Sequence, residues 1–230
     1  MDSRIQLLLW VTLSIVIGLG ACVAYRARGE RYWHEDATGT LVGEVALFVY
    51  HVGLPFVALI AGSISLDLLG LGTGWSRTDH LVGFTLTEWL TGIATAVGAV
   101  MLVIVVLALN RRAMDAPPNR ESTFVLVRNA VYDEVHWALY RAPFILIFAD
   151  AFFGAIVGIA VMLGEWMLRR SITRGPLERN HLLVLILCAV VSAFLFVTTR
   201  NLWVMIAADL AVRLVANTIS TTAPQPRASS

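Results

Sequence analysis

The feature that most restricts this chain is a series of apolar runs, each close to the length a helix needs to cross a bilayer. They occupy residues 5–25, 45–69, 81–109, 143–168 and 181–199, with a sixth at 202–219 interrupted by Asp209, Arg213 and Asn217. About 20 apolar residues rising 1.5 Å each span the hydrocarbon core as a helix. Of the 230 residues, 58% are hydrophobic and 14% charged, whereas an ordinary soluble domain is about 25% charged. Such a chain has too little polar surface to coat a water-facing globule, so a soluble enzyme is excluded.

The charges are few but ordered. All 17 basic residues are arginine, set against 16 acidic ones. No dense basic face is available for a nucleic acid. Cytoplasmic loops collect Arg and Lys beside helix ends. Here clusters follow the first run (Arg26, Arg28, Arg31), the third (Arg111, Arg112, Arg120) and the fourth (Arg169, Arg170, Arg174, Arg179), while residues 70–80 hold only Arg77 and the turn after the fifth run only Arg200. Clusters two and three fall on one side only if the polar stretch 122–140 also spans, or enters deeply. The expectation is an all-α, polytopic membrane helix bundle of about seven transmembrane helices. It forms one domain over residues 1–220 with a disordered tail at 221–230, its N-terminus outside and C-terminus inside a bacterial inner membrane. Leu19-Gly20-Ala21-Cys22 is similar to a lipoprotein cleavage box. The length of that run and the basic cluster after it favour a span. Cys22 and Cys188 both lie in apolar runs, which speaks against a disulfide or a cysteine metal site.

Counting 122–140 as a span draws ionisable groups into the bilayer, where each is a functional-site hypothesis. At 3.6 residues per turn, Asn129, Asp133, His136 and Tyr140 form one stripe, and Glu134 and Arg141, seven apart, share the face beside it. Carboxylates with an imidazole suit general acid–base work or metal binding; a salt-bridge network pinning the bundle is the structural alternative. Asp209 and Arg213, four apart, can pair within one helix. Glu165 with Arg169 reads as a snorkelling pair at the membrane edge. Asp150 reads as a buried carboxylate needing a partner such as Arg141 or Arg213. Glu44 reads as a helix N-terminal acid, and His51 and Glu88 as lone core or interface groups. Gly92 with Ala96 and Gly154 with Gly158 are pairs that allow close helix approach. Pro143 reads as a helix start, Pro55 as a kink, and residues 70–74 as a glycine turn. Trp33, Trp75, Trp166 and Trp203 read as an interfacial belt. No cofactor or metal is expected, since no paired-histidine spacing supports haem.

The order of these features resembles the CPBP intramembrane proteases, the CAAX-processing and bacteriocin-processing enzymes, over roughly residues 54–213. Residues 65–71 are similar to the loop before that family's core. Asp133-Glu134 with Arg141 stand where the family carries two adjacent glutamates and an arginine. Residues 201–209 are similar in texture to its last motif. Glu165 is the closest counterpart of the family's Phe-xxx-His histidine, and Asp209 with Arg213 replace its final histidine and asparagine. The resemblance implies a membrane bundle in which a carboxylate and a histidine activate water. Asp133 or Glu134 would then be the base and His136 its helper, with Arg141, Asp209 and Arg213 completing the site.

Three functional classes follow. One is a CPBP-like intramembrane endopeptidase, or a non-catalytic relative binding a peptide or prenylated protein. The second is an accessory subunit of a membrane protein complex, using acid–arginine pairs for assembly. The third is a proton-coupled carrier lined by Asp133, Glu134, Asp150 and Asp209. The bilayer itself is a partner in all three.

Overall fold

The computed structural model describes residues 2–28, 37–72, 80–110, 121–173 and 179–221. It is helical nearly throughout. Among the described residues, six helical stretches are long and apolar enough to cross a membrane: Ser3–Ala24, Leu41–Ile60, Leu86–Asn110, Ala151–Thr173, Asn180–Thr199 and Leu202–Ile219. A further helix, Thr123–Phe148, contains the doubtful polar stretch as 26 unbroken residues, about 39 Å at 1.5 Å per residue. The protein is an all-α polytopic membrane helix bundle. Predicted boundaries move: the second apolar helix ends at Ile60 rather than 69, the third begins at Leu86 rather than 81, and the fourth at Ala151 rather than 143.

The chain forms two compact units, one drawn from Met1–Thr73 and Tyr132–Leu177, the other from Gly74–Val131 and Glu178–Ser230. The first contains α1 (Ser3–Arg28), α2 (Ala37–Phe48), a π turn (Val49–Gly53), α3 (Leu54–Ile60) and the short α4 (Leu66–Leu69). It also takes the C-terminal part of α6 (Thr123–Phe148) and all of α7 (Ala151–Thr173). Its apolar core joins Leu7 and Val11 of α1, Ala58, Ile64 and Leu69, and Ala138, Leu139 and Ala142 of α6. Trp10 Nε1 donates to Ser63 Oγ at 3.2 Å and ties α1 to the turn after α3. Ser65 caps α4, accepting from Leu68 N–H at 3.3 Å. Gly70 then closes that helix in the left-handed region at φ 78°, where the absence of a Cβ removes the steric cost.

Helices α6 and α7 meet closely because α7 has no side chain where they touch. A Cβ on Gly154 would lie 2.6 Å from the Ile145 nitrogen, and one on Gly158 2.9 Å from the Arg141 Cα. The small-residue pair therefore serves the packing its spacing suggests. Pro143 is not a helix start. It lies inside α6, because a missing proline N–H removes only one rung of the ladder and membrane helices tolerate this when neighbours pack around it. The break comes at Ala149, left-handed at φ 53°. Asp150 is likewise corrected: it is exposed and caps α7, its Oδ1 accepting from Phe153 N–H at 2.9 Å. An aspartate before a helix satisfies an otherwise unpaired N–H, so it requires no buried cation.

The second unit holds a two-stranded ribbon, β1 (His80–Leu81) and β2 (Phe84–Thr85), with α5 (Leu86–Asn110), α8 (Arg179–Thr199), α9 (Leu202–Thr221) and the first turns of α6. Val82 and Gly83 both have positive φ, 52° and 87°, as a type I′ hairpin requires. Thr85 and Glu88 then form a reciprocal capping box: Thr85 N–H donates to Glu88 Oε2 at 2.7 Å and Glu88 N–H to Thr85 Oγ1 at 3.3 Å. Glu88 is thus a cap rather than a lone interface group, while Glu44 lies beyond the first turn of α2. Gly92 lets α5 approach Val204 of α9. The α8–α9 turn uses Arg200 at φ 48° and Asn201, whose Oδ1 accepts from Trp203 and Val204 N–H at 3.0 and 3.3 Å. Both cysteines are free thiols. Arg31, Arg111, Arg112, Arg120, Arg174, Trp33, Trp75 and tail residues 222–230 lie outside the described residues.

Candidate functional site

The polar centre of the first unit begins with a local distortion. Proline at position 55 offers no N–H to the His51 carbonyl, and its ring crowds that carbonyl in a regular helix. The chain widens into a π turn in which Leu54 N–H bonds the Val49 oxygen. Such turns are rare and concentrate at functional sites. Here it carries Tyr50 and His51.

Five further polar side chains reach the same place from three helices. α1 supplies Ser14, α6 supplies His136 and Tyr140, and α7 supplies Glu165 and Arg169. Both of the last two pairs are four residues apart, which puts each pair on one helix face. The Ser14 hydroxyl lies 3.3 Å from Tyr50 Oη, His136 Nε2 and Tyr140 Oη. Tyr50 Oη is 3.1 Å from His136 Nε2 and donates to Glu165 Oε1 at 2.8 Å. Tyr140 donates to the other Glu165 oxygen, and Arg169 Nη2 donates to both Glu165 and Tyr50. The Arg169 guanidinium also lies 4.6 Å from the Tyr50 ring centre, a cation–π distance. His51 stacks on Tyr132 with ring centres 5.4 Å apart and lies 5.2 Å from the His136 ring.

A hydrogen assignment consistent with these contacts follows from donor counting. Tyr50 and Tyr140 give their single protons to Glu165. Ser14 then donates to Tyr50, and His136 Nε2 lies 3.1 Å from the same hydroxyl, as a donor in the Nε2–H tautomer. The neutral imidazole keeps its lone pair on Nδ1, which is buried and has no hydrogen-bond partner among the described residues. The arrangement is a held carboxylate, two phenols and a basic ring nitrogen inside an apolar bundle. Among the described residues no group of three His, Cys, Asp or Glu side chains is placed to hold a metal ion.

The stripe read from the sequence is only partly used. His136 and Tyr140 are at the centre. Asp133 is half-buried on the same face. Glu134 departs by the 100° that separates neighbours on a helix and lies 3.9 Å from Arg141, both almost wholly buried. The adjacent acids therefore face different surroundings. Asp209 and Arg213 pair at 2.7 Å in the second unit. Glu165 overturns the expected snorkelling pair: it is only 6% exposed, because Gly18 of α1 leaves room for it. A Cβ at position 18 would lie 2.7 Å from Arg169 Cζ and 2.8 Å from Glu165 Oε1. Ser14 and Tyr50 are not singled out by the sequence, and His51, expected as a lone group, lies against Tyr132 and His136. The available signal was a Tyr-His pair five residues before a proline in an apolar run.

Neither a family profile, nor a curated protein, nor a solved structure matches the chain.

Proposed function

We propose that the protein is a CPBP-like intramembrane protein whose first unit holds an acid–base site for hydrolysis of a membrane-embedded peptide, including a prenylated one. The observation that carries this is the convergence of Ser14, Tyr50, His136, Tyr140, Glu165 and Arg169 on one buried point. Charged groups in a bilayer cost several kcal/mol and are retained where they work. The family resemblance implies a carboxylate on the first motif helix and a histidine on the next. Here the two groups are exchanged, with His136 on α6 and Glu165 on α7. His136 Nδ1 is the base that takes a proton from water. Glu165, held by both tyrosines and Arg169, orients the hydroxyls around it, and the guanidinium favours a developing oxyanion.

The test is turnover of a quenched-fluorescent prenylated peptide, and of its unprenylated counterpart, by protein reconstituted in vesicles. His136→Gln should lower the rate about a hundredfold or more, the usual share of a general base. Equal rates in wild type and variant, with the variant folded, would remove the hydrolytic reading. A second reading has one observation in its favour: Glu165 is bound by three donors at once, as a structural pin would be. On that reading the chain is an accessory subunit and co-purifies with a defined membrane partner.

A further inference from the structure

The polar centre is joined to one end of the first unit by a seam between α1 and α7, which pack against each other. Along α1 the seam is Ser14, Gly18, Cys22 and Arg26, each four residues from the last, a spacing that keeps neighbours on one side of a helix. Along α7 it is Glu165, Arg169 and the Ile172 carbonyl. Contacts mark its course. Ser14 lies in the centre itself. At Gly18 the ends of Arg169 and Glu165 come against α1. Arg26, an exposed residue, donates from Nη1 to the Ile172 carbonyl at 3.0 Å, in the last turn of α7. Cys22 is placed between these last two contacts and is partly exposed.

No large apolar side chain of α1 lies on this line: it offers a hydroxyl, a bare glycine, a thiol and a guanidinium. Exposure rises outward, from 0% at Ser14 through 6% at Glu165 to 26% for the Arg169 side chain. The uncovered part of a guanidinium in a spanning helix is met by water or headgroups, because contact with acyl chains is strongly disfavoured. At the inner end, His136 Nδ1 and Arg169 Nε are buried and have no hydrogen-bond partner among the described residues. Buried polar atoms of this kind are those that internal water bonds to. We propose that the α1–α7 seam conducts water to the polar centre from the end that carries Arg26, with Arg169 lining the way in. The path supplies the water that the proposed hydrolysis consumes; it rests on that reading for its purpose and not for its existence.

The chain has two cysteines, and Cys188 is 1% exposed, so thiol chemistry reads the path directly. The probe is trimethylammonium-ethyl methanethiosulfonate, a permanent cation that does not cross bilayers and reacts with the thiolate, which forms in water and not in hydrocarbon. It is added to sealed membrane vesicles of either orientation. Cys22 should be labelled from one side only, the side on which a reporter after Thr173 lies. In a Cys22→Ala, Cys188→Ala background, Ser14→Cys places the thiol at a position 0% exposed, and Val16→Cys at one 59% exposed on the opposite side of α1. Ser14→Cys should react about tenfold faster or more, the reverse of the order of exposure, because hydrocarbon suppresses the thiolate. Native Cys22 against Val16→Cys makes the same comparison with the centre unaltered. An unreactive Cys22, a folded Ser14→Cys protein that stays unlabelled, Val16→Cys reacting as fast as either, or equal labelling from both sides would each overturn the path. Absence of turnover with this labelling intact would remove hydrolysis and leave the path standing.

Discussion

Tyr50 and His136, 86 residues apart in sequence, meet hydroxyl to ring nitrogen at 3.1 Å with ring centres 4.6 Å apart. The contact joins the π turn to α6, and Glu165 of α7 is added through the same hydroxyl. A buried hydroxyl that serves an imidazole, a carboxylate and a guanidinium couples their energetics, since each partner polarises the others.

Removing that hydroxyl should therefore cost more than its area suggests. Tyr50→Phe and Tyr140→Phe are each expected to destabilise the protein by about 1–2 kcal/mol, the range for hydrogen bonds between membrane helices. Because both donate to Glu165, the double variant should depart from additivity by about 0.5 kcal/mol or more. Reversible unfolding in mixed micelles measures all three.

Glu134 and Arg141 give a separate test of the buried pair. Both are almost fully shielded at 3.9 Å. Arg141→Met alone leaves a buried carboxylate short of its cation and should cost about 3–5 kcal/mol. Combining it with Glu134→Gln removes the charge as well and should recover much of that loss. If the double variant is no more stable than Arg141→Met, the pair is not the source of the effect.

Three glycines should separate by what lies opposite them. Gly154→Ala places a Cβ against the Ile145 backbone, which cannot withdraw, so a loss near the upper end of the ~1–3 kcal/mol overpacking range is expected. Gly18→Ala meets the far ends of Arg169 and Glu165, which can shift; the stability loss is smaller but the polar centre is displaced. Gly164 faces open space, and Gly164→Ala should stay within about 0.5 kcal/mol of wild type. Thermal unfolding ranks the set.

Helix α6 predicts the topology of its neighbours. If α6 and α7 both cross, compartment reporters fused between Asn110 and Ser122 and after Thr173 must report the same side. Opposite sides would mean that α6 does not span.

One part of the expected protease resemblance, its first motif, was read from Asp133-Glu134 with Arg141 seven residues on. Adjacency on a helix means divergence in space, which is why Glu134 pairs with Arg141 while Asp133 stays on the stripe of His136. The i,i+4 relation of His136 to Tyr140, and of Glu165 to Arg169, was legible because periodicity is a property of one helix. So was the Asp209–Arg213 pair at 2.7 Å. The role of Asp150 was not, since a residue seven positions beyond Pro143 was measured from a helix start that does not exist.

The apolar runs and the scarcity of charge determined the membrane bundle by themselves, because transfer into hydrocarbon depends on each residue's own chemistry. Which polar residues share a site was decided only in three dimensions. Pro55 widened one turn and Gly18 opened space on another helix. These two local features let Tyr50, His136 and Glu165 meet across three helices, and distance between helices is set by packing that no single segment encodes.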